Sequence, residues 1–199
     1  MDAAVKRVCV FCGSNAGARP EYAAAARELA SHLAGRGLGL VYGGGNVGLM
    51  GVLADAMLEA KAEVIGVIPR SLVEREVAHH GVTRLHVVQT MHERKAMMAQ
   101  LCDAFVALPG GFGTLEEFFE VLTWSQLGYH RKPCGLLNVA GYYDGLARML
   151  DHGVAEGFIS PAHRALVIAE TEPGRLLQRL AEFTPVTAGK WADARGNFP

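Results

Sequence analysis

Short runs of apolar residues alternate along this chain with longer segments whose apolar positions recur every three to four residues. The short runs, Val8–Phe11, Leu38–Tyr42, Val64–Ile68, Leu85–Val88, Ala104–Leu108, Cys134–Asn138 and Ala165–Ala169, read as strands. The longer segments Tyr22–Arg36, Leu49–Lys61, Met91–Cys102, Leu115–Gln126, Tyr142–Gly153 and Pro173–Phe183 read as helices. Strands apolar throughout suit a sheet covered on both faces, and therefore a parallel one. The pattern predicts an α/β, Rossmann-like doubly wound sheet, mostly parallel, with about seven strands and helices on both faces. Residues 1–186 are expected to form one domain, followed by a polar C-terminal tail over 187–199.

In a doubly wound fold, ligands bind at the carboxyl ends of the strands. Three glycine-bearing turns fall there: Cys12-Gly-Ser-Asn15, Gly43-Gly-Gly-Asn-Val-Gly48 and Pro109-Gly-Gly-Phe-Gly-Thr114. Three such turns on one edge predict a nucleotide-sized site. The last turn leads from a strand into a helix, which makes an anion site. Unpaired N–H groups at a helix N-terminus and the helix dipole both favour negative charge. The acids Glu116 and Glu117 follow at once and are expected in the first helical turn. Acids there also stabilise a helix by a few tenths of a kcal/mol up to about 1 kcal/mol each, so one of them can be purely structural. Adjacent helical positions point about 100° apart, so the two do not serve one atom in the same way.

Composition removes several classes of function. The chain carries 19 basic and 20 acidic residues, a net charge of −1, which gives no electrostatic case for nucleic acid or an anionic membrane. No apolar run reaches membrane-spanning length and no apolar signal core opens the chain, so a cytoplasmic location is expected. Cys9 and Cys12 form a C-x-x-C inside an apolar strand, with no second such pair, and are expected to be buried hydrophobes. His79 and His80, near Glu74 and Glu76, lack any metal-ligand spacing and read as solvent-facing loop residues. The Gly43–Gly48 run matches G-x-G-x-x-G, but it follows the second strand, and the next strand ends in Arg70 with no ribose-holding acid. Arg70 could instead suit a 2′-phosphate, so NADP is weakened but stays open as an alternative, and the missing G-x-x-x-x-G-K-[ST] argues against a P-loop NTPase. No lysine sits in a recognisable pyridoxal-phosphate context.

Arg94 and Lys95 open the helix after the fourth strand. Cations early in a helix oppose its dipole, which favours a functional role. The alternative is two solvated surface cations.

Together these motifs carry a resemblance. Pro109-Gly-Gly-Phe-Gly-Thr-Leu-Glu-Glu117 resembles the P-G-G-x-G-T-x-x-E signature of the LOG (lonely guy) family. Tyr42-Gly-Gly-Gly-Asn-Val-Gly-Leu-Met-Gly51 and Met91-His-Glu-Arg-Lys95 are similar to its other motifs. The likeness runs from about Val8 to Phe183 and includes Thr123-Trp-Ser-Gln-Leu-Gly128 and Asn138-Val-Ala-Gly-Tyr-Tyr143. Asn15 and Asn46 stand where many relatives have serine.

The resemblance implies a cytokinin riboside 5′-monophosphate phosphoribohydrolase. Such an enzyme cuts the N-glycosidic bond of an N6-modified adenosine monophosphate, or of AMP, and releases ribose 5-phosphate. It implies no metal and no cofactor, and a homodimer as the working form. It also implies Arg94 and Glu117 as the catalytic pair. The substrate-binding positions it implies are Ser14, Gly44, Gly45, Glu76, Lys95, Gly110, Gly111, Phe112, Gly113, Thr114, Glu116 and Thr123. Glu116 is expected at the ribose. The competing expectation is a Rossmann-like carrier that binds a nucleotide without cleaving it. The lysine decarboxylase label often attached to this family finds no support in these residues.

Overall fold

The computed structural model describes residues 5–73 and 78–185. Seven parallel strands form one sheet: β1 (Arg7–Phe11), β2 (Gly39–Tyr42), β3 (Val64–Pro69), β4 (Arg84–Val88), β5 (Ala104–Ala107), β6 (Cys134–Leu137) and β7 (Val167–Glu170). Their spatial order is β4-β3-β2-β1-β5-β6-β7, and every paired register is parallel. The order reverses between β1 and β5. That is the switch point where loops leave in opposite directions and open a crevice.

Strand residues divide between the two faces as the pleat requires. On β1, Val8 and Val10 pack with α1 (Pro20–Gly35), α2 (Gly48–Glu59) and α8 (Pro173–Ala181). Cys9 and Phe11 point the other way, toward α4 (Met91–Leu101), α5 (Phe112–Gln126) and α6 (Asp144–Ala155). Alternate side chains of a strand face opposite sides of a sheet, so both faces must be apolar when both are covered by helices. Cys12 belongs to the first core and Cys9 to the second. The C-x-x-C thiols are therefore free, buried and on opposite faces.

The largest departure from the sequence pattern lies at α5. It begins at Phe112, three residues ahead of the expected Leu115, with extended Gly111 at the N-cap position and no side-chain cap. Phe112 and Gly113 are exposed and contribute nothing to the buried stripe that marks a helix in sequence. Glu116 and Glu117 accordingly sit in the second turn of α5, and its first turn holds no acid. Two short helices, α3 (Arg70–Val73) and α7 (Pro161–Arg164), are too brief to show periodicity. The second displaces the start of β7 from the expected Ala165 to Val167. No helix among the described residues is long and apolar enough to cross a membrane.

Candidate active site

Two helices that follow β4 and β5 bring five charged side chains together beside the switch point. Thr90 caps α4, its hydroxyl accepting the Glu93 N–H at 3.1 Å, while the Glu93 carboxylate accepts the Gln89 N–H. This paired cap fixes the first turn of α4. Arg94 and Lys95, just beyond it, are both buried, not solvated surface cations. Arg94 uses its whole fork. Its Nε donates to the Val67 carbonyl at 3.0 Å, Nη2 to the Gly43 carbonyl at 3.4 Å, and Nη1 to Glu117 Oε1 at 2.6 Å. Gly43 must lack a side chain, because a Cβ there would overlap Arg94 Nη2.

Glu117 is buried with Arg94. Burial pushes its carboxyl above the ordinary range, and the charge and hydrogen bond of Arg94 pull it back only in part. The result is a carboxylate held in a water-poor setting by one guanidinium.

Lys95 lies one residue along and serves the other acids. Its Nζ donates to Glu116 Oε1 and, at 3.0 Å, to Glu120 Oε1. Burial tends to lower its pKa, but the bonds to Glu116 and Glu120 outweigh this and raise it overall. Glu116 is half exposed while Glu120 is mostly covered, and Glu120 Oε2 is buried without a partner. Thr123 lies on the same side of α5 as Glu116 and Glu120, its hydroxyl turned back onto the Phe119 carbonyl at 2.7 Å. It lines an apolar cavity of about 130 Å³ with Phe119, Leu122, Leu150 and Ile159.

The three glycine turns meet. Gly13 N–H donates to the Pro109 carbonyl at 3.1 Å, and Leu49 N–H to the Gly13 carbonyl at 3.0 Å. Gly110 packs so tightly against Thr114 that a Cβ would overlap its hydroxyl. Thr114 is buried, whereas Gly111, Phe112 and Gly113 are exposed at the uncapped start of α5. Ser14, on the rim, shares a cavity of about 230 Å³ with Tyr22, Pro109, Gly110, Gly111 and Tyr142.

Gly44 and Gly45 are buried and paired. The Gly44 carbonyl accepts the His79 N–H at 2.9 Å, and Gly45 forms a bridge with Ala78. His79 is thus not solvent-facing. Its Nδ1 accepts the Gly81 N–H at 3.1 Å, which leaves Nε2 to donate to Asp55 at 2.9 Å. A buried polar ring needs such partners, and sequence spacing does not announce them. Glu76, with Glu74, lies outside the described residues. Among the described residues no group of three or more His, Cys, Asp or Glu side chains is placed to hold a metal ion.

A family profile described as "possible lysine decarboxylase" matches residues 50–180. The cytokinin riboside 5′-monophosphate phosphoribohydrolase LOG7 of Arabidopsis thaliana is 50% identical over 180 residues, covering 90% of this chain and 83% of its own. The probable cytokinin riboside 5′-monophosphate phosphoribohydrolase LOGL9 of Oryza sativa subsp. japonica is 53% identical, over 91% of this chain and 80% of its own. The chain belongs to the LOG family. Among solved structures, the molybdenum cofactor carrier protein of Chlamydomonas reinhardtii superposes with a TM-score of 0.66 at 20% identity, covering 89% of this chain and 99% of its own. The molybdenum cofactor binding protein of Rippkaea orientalis gives 0.65 at 21%, over 87% and 94%. These likenesses establish the Rossmann-like fold that the LOG chain shares with them.

Helical spacing alone sets Glu120 beside Glu116 and Glu117, whereas its bond to Lys95, which comes from a different helix, is shown by no local pattern. Nor does any local pattern show the roles of Tyr142 and Tyr143, whose hydroxyls reach the Gly110 and Leu108 carbonyls from 32 and 35 residues away.

Proposed function

We propose that this protein hydrolyses the N-glycosidic bond of adenosine 5′-monophosphates, N6-modified or plain, releasing the free base and ribose 5-phosphate. Half-identity over nine-tenths of the chain to curated phosphoribohydrolases supports the reaction. The observation that carries the chemistry is the buried Arg94–Glu117 pair beside an uncapped helix N-terminus. Breaking the C1′–N9 bond sends its electron pair to the base and leaves positive charge on the ribose ring. Glu117 supplies negative charge where that develops, and can accept a proton from the water that attacks C1′. One water provides both the new hydroxyl at C1′ and the proton that the base gains.

In this reading the Gly111, Gly113 and Thr114 N–H groups hold the 5′-phosphate, with Gly110, Phe112 and Ser14 completing the seat. Gly44 and Gly45 border the ribose side. Binding the phosphate fixes the sugar against Glu117, which spends remote binding energy on orientation. Arg94 holds Glu117 and faces the phosphoribosyl group. Glu116, half exposed, turns to a ribose hydroxyl, with Lys95 between it and Glu120. Glu76 and Thr123 complete the substrate contacts. A homodimer in the cytoplasm belongs to the same reading.

The pairing of Lys95 with two acids speaks against a Schiff-base role for this lysine. A charged ammonium is not a nucleophile, and its carboxylate partners keep it charged.

The test is direct: incubate the protein with AMP and with N6-isopentenyladenosine monophosphate and separate the products. Free base and ribose 5-phosphate in equal amounts are expected. Tight nucleotide binding without base release would instead establish a carrier.

A further inference from the structure

The Leu108–Gly110 segment is held at every carbonyl. Three consecutive carbonyls at the end of β5 are each engaged by a different donor. Leu108 O accepts the buried Tyr143 hydroxyl at 2.7 Å. Pro109 O accepts the Gly13 N–H at 3.1 Å. Gly110 O accepts the Tyr142 hydroxyl.

In a trans peptide the C=O and the following N–H point in opposite directions. No cis peptide bond is present among the described residues. Fixing the Pro109 carbonyl therefore fixes the Gly110 N–H, and fixing the Gly110 carbonyl turns the Gly111 N–H the other way. A carbonyl free to flip would place its oxygen where an anion should sit and withdraw the N–H at the same time.

The two tyrosines are themselves anchored. Their rings meet edge to face at 5.0 Å, and Tyr22 closes on Tyr142 at 5.9 Å. The Tyr143 N–H donates to Asn138 Oδ1 at 2.7 Å, and Asn138 Nδ2 donates in turn to Asp144. One backbone segment, Asn138–Asp144, thus delivers both hydroxyls to a turn more than thirty residues earlier in the chain.

We propose that Tyr142 and Tyr143 are positioning residues for the 5′-phosphate. Tyr142 holds the Gly110 carbonyl and with it the Gly111 N–H, while Tyr143, bonded to the Leu108 carbonyl just before Pro109, which has no N–H, fixes where the turn leaves β5, so that the enzyme selects phosphorylated over unphosphorylated nucleosides before any chemistry occurs. The proposal rests on the phosphate seat assigned above, and it is independent of whether the bond is then cut.

Calorimetric titration with ribose 5-phosphate and with adenosine, on the parent protein and on Tyr142→Phe and Tyr143→Phe, tests it. Tyr142 is exposed, so its phenylalanine variant keeps the fold; the melting temperature of Tyr143→Phe is recorded alongside. Losing one hydroxyl should weaken ribose 5-phosphate about fivefold. Adenosine binding should change by less than twofold.

Equal weakening of both ligands would mean general loosening and overturn the proposal. So would ribose 5-phosphate binding left within twofold of the parent in both variants. If the parent fails to bind ribose 5-phosphate, the seat itself is misplaced. If it binds without hydrolysing AMP, only the reaction assignment fails and the clamp stands.

Discussion

Arg94 Nη1 lies 2.6 Å from Glu117 Oε1, with both side chains about nine-tenths buried. The two partners are not equally replaceable. Removing Arg94 strands a buried carboxylate, whereas Glu117→Gln keeps a hydrogen-bonding group of the same shape. Arg94→Ala should cost about 3–5 kcal/mol of stability, since breaking a buried pair leaves a charge uncompensated. Glu117→Gln also removes the counter-charge of a buried guanidinium but keeps an acceptor for it, and should cost less, about 1–3 kcal/mol. Both should lose base release by at least two orders of magnitude. Urea unfolding and product assays on the two variants separate the effects, and near-parental turnover by either would falsify the roles assigned to them.

The raised pKa of Glu117 sets a pH dependence of activity. The ionised form is the one that stabilises positive charge on the ribose, so kcat/KM should fall on the acid side. Because burial raises the carboxyl above its ordinary value, that fall should begin at higher pH than a solvated glutamate would give. Arg94 is the principal group opposing the rise, so Arg94→Met should move the acid limb further up. An acid limb at the ordinary glutamate value would show that another group controls the rate.

The same shift appears in stability with a definite sign. Between its unfolded and folded pKa values, Glu117 binds more protons in the native state than in the unfolded one. Stability then decreases as pH rises through that window. Glu117→Gln lacks this term. The stability difference, variant minus parent, should therefore grow as pH is raised from acid toward neutral, measured by denaturant titration at several pH values.

Much of this architecture could be read from the sequence because both sheet faces are buried. A strand such as Val8–Phe11 is apolar at every position and declares itself without structural context. The helix termini were less legible. Phe112 and Gly113 carry α5 two residues past its buried stripe, which starts at Thr114, and Glu116 and Glu117 fall in the second turn. Arg94 was visible as a motif but ambiguous as physics, since only the Val67 and Gly43 carbonyls and Glu117 decide that it is buried. Those partners lie 23 to 51 residues away, beyond any local pattern. The same distance hides the burial of His79, whose partner Asp55 sits on α2.

The space around Arg94 gives the last test. Gly43 follows β2 directly and accepts from Arg94, and a methyl group at its Cβ position would overlap Nη2. The neighbouring atoms offer little relief, because Arg94 is tied at its other two nitrogens to Val67 and Glu117. Gly43→Ala should therefore push the guanidinium off Glu117 without deleting either charge. Overpacking of this kind costs about 1–3 kcal/mol. Activity should drop far more than that stability loss explains, and the acid limb of kcat/KM should rise toward that of Arg94→Met as Glu117 loses its partner. A variant that lost stability but kept the parental pH profile would show that Arg94 can hold Glu117 from another position.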